Sequence, residues 1–130
     1  MVIKMKSFVI SIILAACIIG GGIWYAAYLE DFSDRLLEQN EEIRLLLSKE
    51  KYADAREAEE ELSRAWESGK NALASTLDHG NIDDIEKSLA EIKAYTDEGA
   101  KADTIAKCEV LRVMLEHLPN SCSFKLENIL

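Results

Sequence analysis

The chain has almost nothing that breaks a helix. Its 130 residues hold one proline, Pro119, and six glycines, three of them consecutive at Gly20, Gly21 and Gly22. Beyond those, only Gly69, Gly80 and Gly99 interrupt a composition rich in Ala, Leu, Glu and Lys. So few breakers and such strong helix formers predict an all-α fold. There are two histidines, His79 and His117, and three cysteines, Cys17, Cys108 and Cys122, spread over different segments. Zinc sites want closely paired ligands, so no metal or cofactor is expected. Basic residues are outnumbered: 15 Lys and Arg face 24 Asp and Glu. A nucleic-acid partner needs a basic footprint, and anionic headgroups attract basic segments, so both are disfavoured.

Charge of either sign is missing altogether from residues 7–29, SFVISIILAACIIGGGIWYAAYL. A helix needs about 20 apolar residues to cross the hydrocarbon core of a bilayer, and in lipid such a run must be helical. Lys4 and Lys6 precede it, and Glu30, Asp31 and Asp34 follow. Basic residues favour the cytoplasmic side, which directs residues 1–6 inward and residues 30–130 outward. Trp24, Tyr25 and Tyr28 sit where aromatic rings favour the headgroup layer. An uncleaved signal anchor in a bacterial cytoplasmic membrane is the expectation. Two rivals fit the same residues. A cleaved signal peptide would have a shorter apolar core and a small-residue cleavage site. Leu14-Ala15-Ala16-Cys17 resembles a lipobox, which makes Cys17 a candidate for lipidation, although the chain stays apolar after it. Ala16/Gly20 and Gly22/Ala26 are small pairs four apart that would let another helix approach, against the plainer reading of a lipid-facing helix.

The remaining 101 residues, 30–130, carry all 24 acidic and 13 of the basic residues, a formal charge of −11. They suit one small domain. Apolar residues recur at three and four in four stretches. The first is Leu29, Phe32, Leu36, Ile43 and Leu46, interrupted at Gln39-Asn40 and continuing the membrane helix. A turn is expected at residues 48–51. The second, about 52–77, is Tyr52, Ala55, Ala58, Leu62, Ala65/Trp66, Leu73 and Leu77, with Gly69 marking a close contact or a bend. Residues 78–81 read as a turn, with Gly80 left-handed and Asn81 capping a third helix over about 82–98. Its stripe is Ile82, Ile85, Leu89, Ile92 and Tyr95 or Thr96. The fourth, about 101–118, carries Ile105, Cys108, Leu111, Leu115 and Leu118, widened by Val110 and Met114, and is expected to stop at Pro119. The expected architecture is an N-terminal transmembrane helix and an antiparallel bundle of three to four helices.

Few side chains suggest chemistry. Asp78, His79, Asp83, Asp84 and Glu86 crowd one turn, but Gly80 occupies the third ligand position of a calcium loop, so that motif fails. There is no nucleophile elbow and no phosphate-binding glycine loop. An enzyme is not expected. The acidic run Glu57, Glu59, Glu60 and Glu61 reads as a solvated face. Cys108 and Cys122 could close a disulfide outside the cytoplasm, against two unpaired thiols as the simpler reading. The apolar tail, with Phe124, Ile129 and Leu130, and Trp66 if exposed, are the candidate contacts for a protein partner.

Tyr52-Ala53-Asp54-Ala55, Trp66, His79-Gly80-Asn81-Ile82 and the ending Glu127-Asn128-Ile129-Leu130 together resemble an uncharacterised family of small single-span membrane proteins of spore-forming Firmicutes. The resemblance covers the whole chain, implies an anchored helical accessory protein and transfers no functional residue. Three functions are therefore open: an interaction or scaffold protein of the cell envelope, a sensory bundle binding a small molecule between helices, and a division-type single-span coiled coil.

Overall fold

The computed structural model describes the backbone of residues 2–74 and 79–129 and the side chains of residues 4–74 and 79–119. Within them are four helices and no strand: α1 (Val2–Ser48), α2 (Tyr52–Leu73), α3 (His79–Glu98) and α4 (Lys101–Ile129). Each helix packs on its neighbours in a closed ring, α1 on α2, α2 on α3, α3 on α4 and α4 on α1. This is an up-down-up-down four-helix bundle.

The 47 residues of α1 run without interruption from the apolar stretch into the bundle. Residues 4–24 include an apolar window long enough to cross a membrane, and none of it is buried among the described residues. Leu29 is the first fully buried residue, and Phe32, Leu36, Ile43 and Leu47 follow it into the core. The expected interruption at Asn40 is a buried side chain within the stripe, not a gap in it.

The two upper turns share one device. Lys51 N–H donates to the Leu46 carbonyl and Glu50 N–H to Leu47, with Glu50 at φ 61°. Ala100 N–H donates to Tyr95 and Gly99 N–H to Thr96, with Gly99 at φ 70°. Both are six-to-one, five-to-two helix stops, which need a left-handed residue and favour glycine there. The first turn uses glutamate instead, and bears the cost of its Cβ.

Two expected boundaries moved. Gly80 is the second residue of α3 and is not left-handed, so α3 begins before Asn81. The expected turn residues 75–78 lie outside the described residues. At the other end, α4 continues through Pro119 to Ile129 instead of stopping. A proline inside a helix removes one amide, here the donor to the Leu115 carbonyl four residues earlier. That carbonyl accepts the buried Ser33 hydroxyl of α1 at 2.6 Å instead. The neighbouring helix satisfies the acceptor that proline orphans, and the break is repaired from outside.

One turn pair further up, Asn40 Nδ2 donates to the Cys108 carbonyl at 2.8 Å. Residues 33 and 40 on α1 thus meet 115 and 108 on α4, seven apart on both helices and in opposite order. These two bonds define the antiparallel register of α1 and α4. Gly69 explains the close approach of α2, since a Cβ there would clash with the edge of the Phe32 ring.

Two outcomes test this architecture. Ser33→Ala should cost about 1–3 kcal/mol by leaving the buried Leu115 carbonyl unpaired. In a Pro119→Ala background, where the helical amide returns, the same change should cost much less; equal losses in chemical denaturation would refute the repair. Glu50→Gly should stabilise and Gly99→Ala destabilise, each by about 1 kcal/mol.

Candidate interaction surfaces

Among the described residues, no group of three or more His, Cys, Asp or Glu converges as a metal site. His79 begins α3 and His117 lies on α4. His117, Asn81, Asp84, Ile85, Val113, Met114 and Leu118 line a cavity of about 220 Å³ between α3 and α4. Ligand pockets usually exceed about 300 Å³.

Trp66 is only 1% exposed, so it belongs to the core and presents no outer face. Its Nε1–H points to Glu86 Oε1 at 3.4 Å, and its ring stacks on Phe32 with centroids 6.4 Å apart. Phe32 stacks on Tyr28 at 6.2 Å, and Tyr28 on Trp24 at 6.0 Å. A column of four rings therefore runs from exposed Trp24 into the middle of the bundle. Its α1 members are spaced at four, a pattern visible in the sequence, but α2's contribution depends on the fold. Tyr25 adds a hydroxyl bond to the Ala72 carbonyl of α2 at 3.0 Å.

Cys17 is exposed on the apolar part of α1. Cys108 is a buried free thiol, and burial pushes its pKa up to about 12, which keeps it protonated and unreactive. The side chains of Cys122, Phe124 and Ile129, and all of Leu130, lie outside the described residues. With α4 helical throughout, positions 108 and 122 stand roughly 21 Å apart along one axis, beyond the reach of a disulfide.

An open groove of about 760 Å³ lies between α1 and α4. Asp31, Asp34, Glu38 and Glu41 form one wall, and Arg112 and Glu116 the other, with Arg35, Leu37 and Asn40 between. Arg112 is held by Glu109 and Glu116, and Arg44 by Glu41, so these cations are already engaged. The sequence shows the acidic spacing on α1, but not the opposing wall. Asn40, 3% exposed, has no partner for its Oδ1 among the described residues. Elsewhere, Lys70 joins α2 to Glu86 of α3, and Lys107 joins α4 to Glu91 of α3. Each is half-exposed and adds little stability.

The acidic run on α2 is not uniformly solvated. Glu59 is buried and accepts the Ser63 hydroxyl at 2.7 Å. Burial raises its pKa above the ordinary carboxylate value, against the Ser63 bond and Lys93 of α3, which favour the charged form; Asp97 and Glu60 oppose it further. A raised carboxylate favours the fold below its ordinary pKa, and that contribution fades as pH rises through the folded value. Glu59→Gln should therefore be more stable than the native chain at pH 7, and the gain should vanish near pH 4. A gain that grows on acidification in thermal melts would contradict this assignment.

A family profile matches residues 23–129, and its description is Domain of unknown function (DUF4363). The chain belongs to that family. No curated protein and no solved structure matches it.

Proposed function

We propose that this member of a family of unknown function is a single-span membrane protein that acts by contact, not by catalysis. One observation carries the reading. The fold leaves Met5, Phe8, Val9, Ile10, Ile12, Ile13 and Leu14 bare on a helix that is also the first rod of the bundle. So large a bare apolar surface needs a cover, and a bilayer fits its length. Lys4 and Lys6 favour a cytoplasmic N-terminus, which directs the bundle outside the cytoplasmic membrane.

The face best suited to a partner is the acidic groove between α1 and α4. It begins two residues beyond the apolar run, at Asp31, and its acidic side chains outnumber its two arginines. Such a surface selects a basic protein segment standing close to the membrane. The sensory alternative gains little from a cavity of about 220 Å³. A coiled-coil alternative gains little from helices that fold back on each other.

Asp34→Lys combined with Glu38→Lys should abolish cross-linking of the full chain to its partner in native membranes. The same association should weaken with added salt in the unsubstituted chain. Undiminished cross-linking of the reversed chain would remove the groove from consideration. Protease added to intact spheroplasts should digest the bundle; full protection would reject the outward orientation.

A further inference from the structure

We propose that the segment received by the acidic groove is an amphipathic helix lying along the outer face of α4. Its basic edge faces the groove, and one large apolar side chain enters the small cavity on the other side of α4. The inference rests on the groove reading above and names the form of the partner that the groove receives.

The outer face of α4 differs from those of the other helices. Among the described residues, exposed positions in the bundle are mostly charged elsewhere: Asp34 and Glu38 on α1, Arg56 and Glu60 on α2, Asp83 and Lys87 on α3. On α4, Ala102, Ala106, Val110 and Val113 are exposed instead, with Val110 at 46% and Val113 at 45%. Their spacing of four, four and three makes a second stripe, opposite the buried one of Cys108, Leu111 and Leu115. It runs about 17 Å along the helix axis. Apolar surface aligned on an acidic domain marks a contact, and a straight stripe at helical spacing is matched by another helix laid along it.

Two concavities flank that stripe at one height. Ser33 meets Leu115 and Asn40 meets Cys108, so Val113 comes level with Arg35, and Leu118 with Glu30. Asp34, Arg35 and Glu38 line the acidic groove on one side of α4. On the other side, toward α3, the cavity has buried Ile85 and Leu118 among its lining, with Val113 and Met114 beside them and exposed Asp84 at the rim. At about 220 Å³ it is small for a free ligand but suits one apolar anchor side chain. The distance between the two concavities is the width of α4. A helix is about 10–12 Å across with its side chains, so one laid over α4 reaches both.

Charge decides what lies there. Arg112 is already held by Glu109 and Glu116, which leaves the groove's carboxylates in excess. Asn40 lines the groove too, with a buried Oδ1 that has no partner among the described residues. The groove is short of both positive charge and donors, and Asp84 adds an acid beside the cavity. A helix with lysine or arginine along one edge complements this surface. A second copy of the chain does not, because its own α4 would bring Glu109 and Glu116 to the same face. The acidic groove between α1 and α2, with Glu42, Asp54, Glu57 and Glu61, is flanked by the charged outer faces of those helices.

The test places a photoreactive benzoylphenylalanine at position 35, 110 or 57 of the full chain in native membranes, and mass spectrometry identifies the cross-linked peptide. Position 57 lies in the α1–α2 groove and controls for charge alone. One partner segment should be captured from both 35 and 110 and not from 57. Its sequence should have apolar residues at three and four, and Lys or Arg along one side. With the probe at 35, Val110→Glu combined with Val113→Glu should lower the yield at least tenfold, and Val110→Ile combined with Val113→Ile should preserve it. Helical circular dichroism should be unchanged in both; if the glutamates lower it, capture from 35 and 110 decides alone. Capture at 35 without capture at 110, or a yield indifferent to the glutamates in a folded chain, would overturn the helix on α4 and spare the groove reading. Capture at 110 of lipid or of a second copy would do the same, as would equal capture of the segment at 57. No product at 35 would overturn both.

Discussion

Pro119 deprives the Leu115 carbonyl of its helical donor, and the Ser33 hydroxyl of α1 supplies one across the helix interface. The rest of the fold depends on that exchange. A buried carbonyl without a partner would cost about 1–3 kcal/mol, enough to matter in a domain this small. The bond also ties one turn of α1 to one turn of α4. Asn40 repeats the tie seven residues along, donating to Cys108 while its own Oδ1 has no partner among the described residues. A polar residue in a helix–helix seam commonly gives up stability for register. Here it excludes the neighbouring alignments that a run of leucines would tolerate.

Register matters because α1 is both the apolar helix and a wall of the bundle. With no hinge between them, the alignment of α4 on α1 sets how deep the whole bundle sits relative to the apolar run. The ring column from Trp24 through Tyr28 and Phe32 to Trp66 stiffens the same junction. The Tyr25 bond to Ala72 fastens α2 at that level. A partner meeting the groove at Asp31 and Asp34 would meet a surface held at constant height and orientation.

The acidic excess is distributed unevenly. Ion pairs occupy the outer edges of the α2–α3 and α3–α4 seams, where water screens them. One carboxylate, Glu59, is buried instead, and its raised pKa marks a place where the fold bears a cost at neutral pH. The charge that stays outside lines two open grooves, Asp31, Asp34, Glu38 and Glu41 between α1 and α4, and Glu42, Asp54, Glu57 and Glu61 between α1 and α2.

Much of the architecture was legible in the sequence, because helix periodicity and rare breakers are local properties. The four stripes, the turn near residue 50, the stop at Gly99 and the close approach at Gly69 all follow from the spacing of apolar residues and glycine. Their fates in the fold did not. Glu59 looked like its neighbours Glu60 and Glu61 until α3 covered it. Asn40 read as an interruption and proved to be a register bond. Trp66 could have been a surface anchor, and Phe32 and Glu86 enclose it. Pro119 stopped a helix on paper because the sequence rule counts only the amide that proline lacks. The chain itself determined that it would be helical, acidic and apolar at one end, since those properties belong to residues taken one or a few at a time. Only tertiary structure decided that α4 would pass its proline, because the replacement donor comes from a residue 82 positions away.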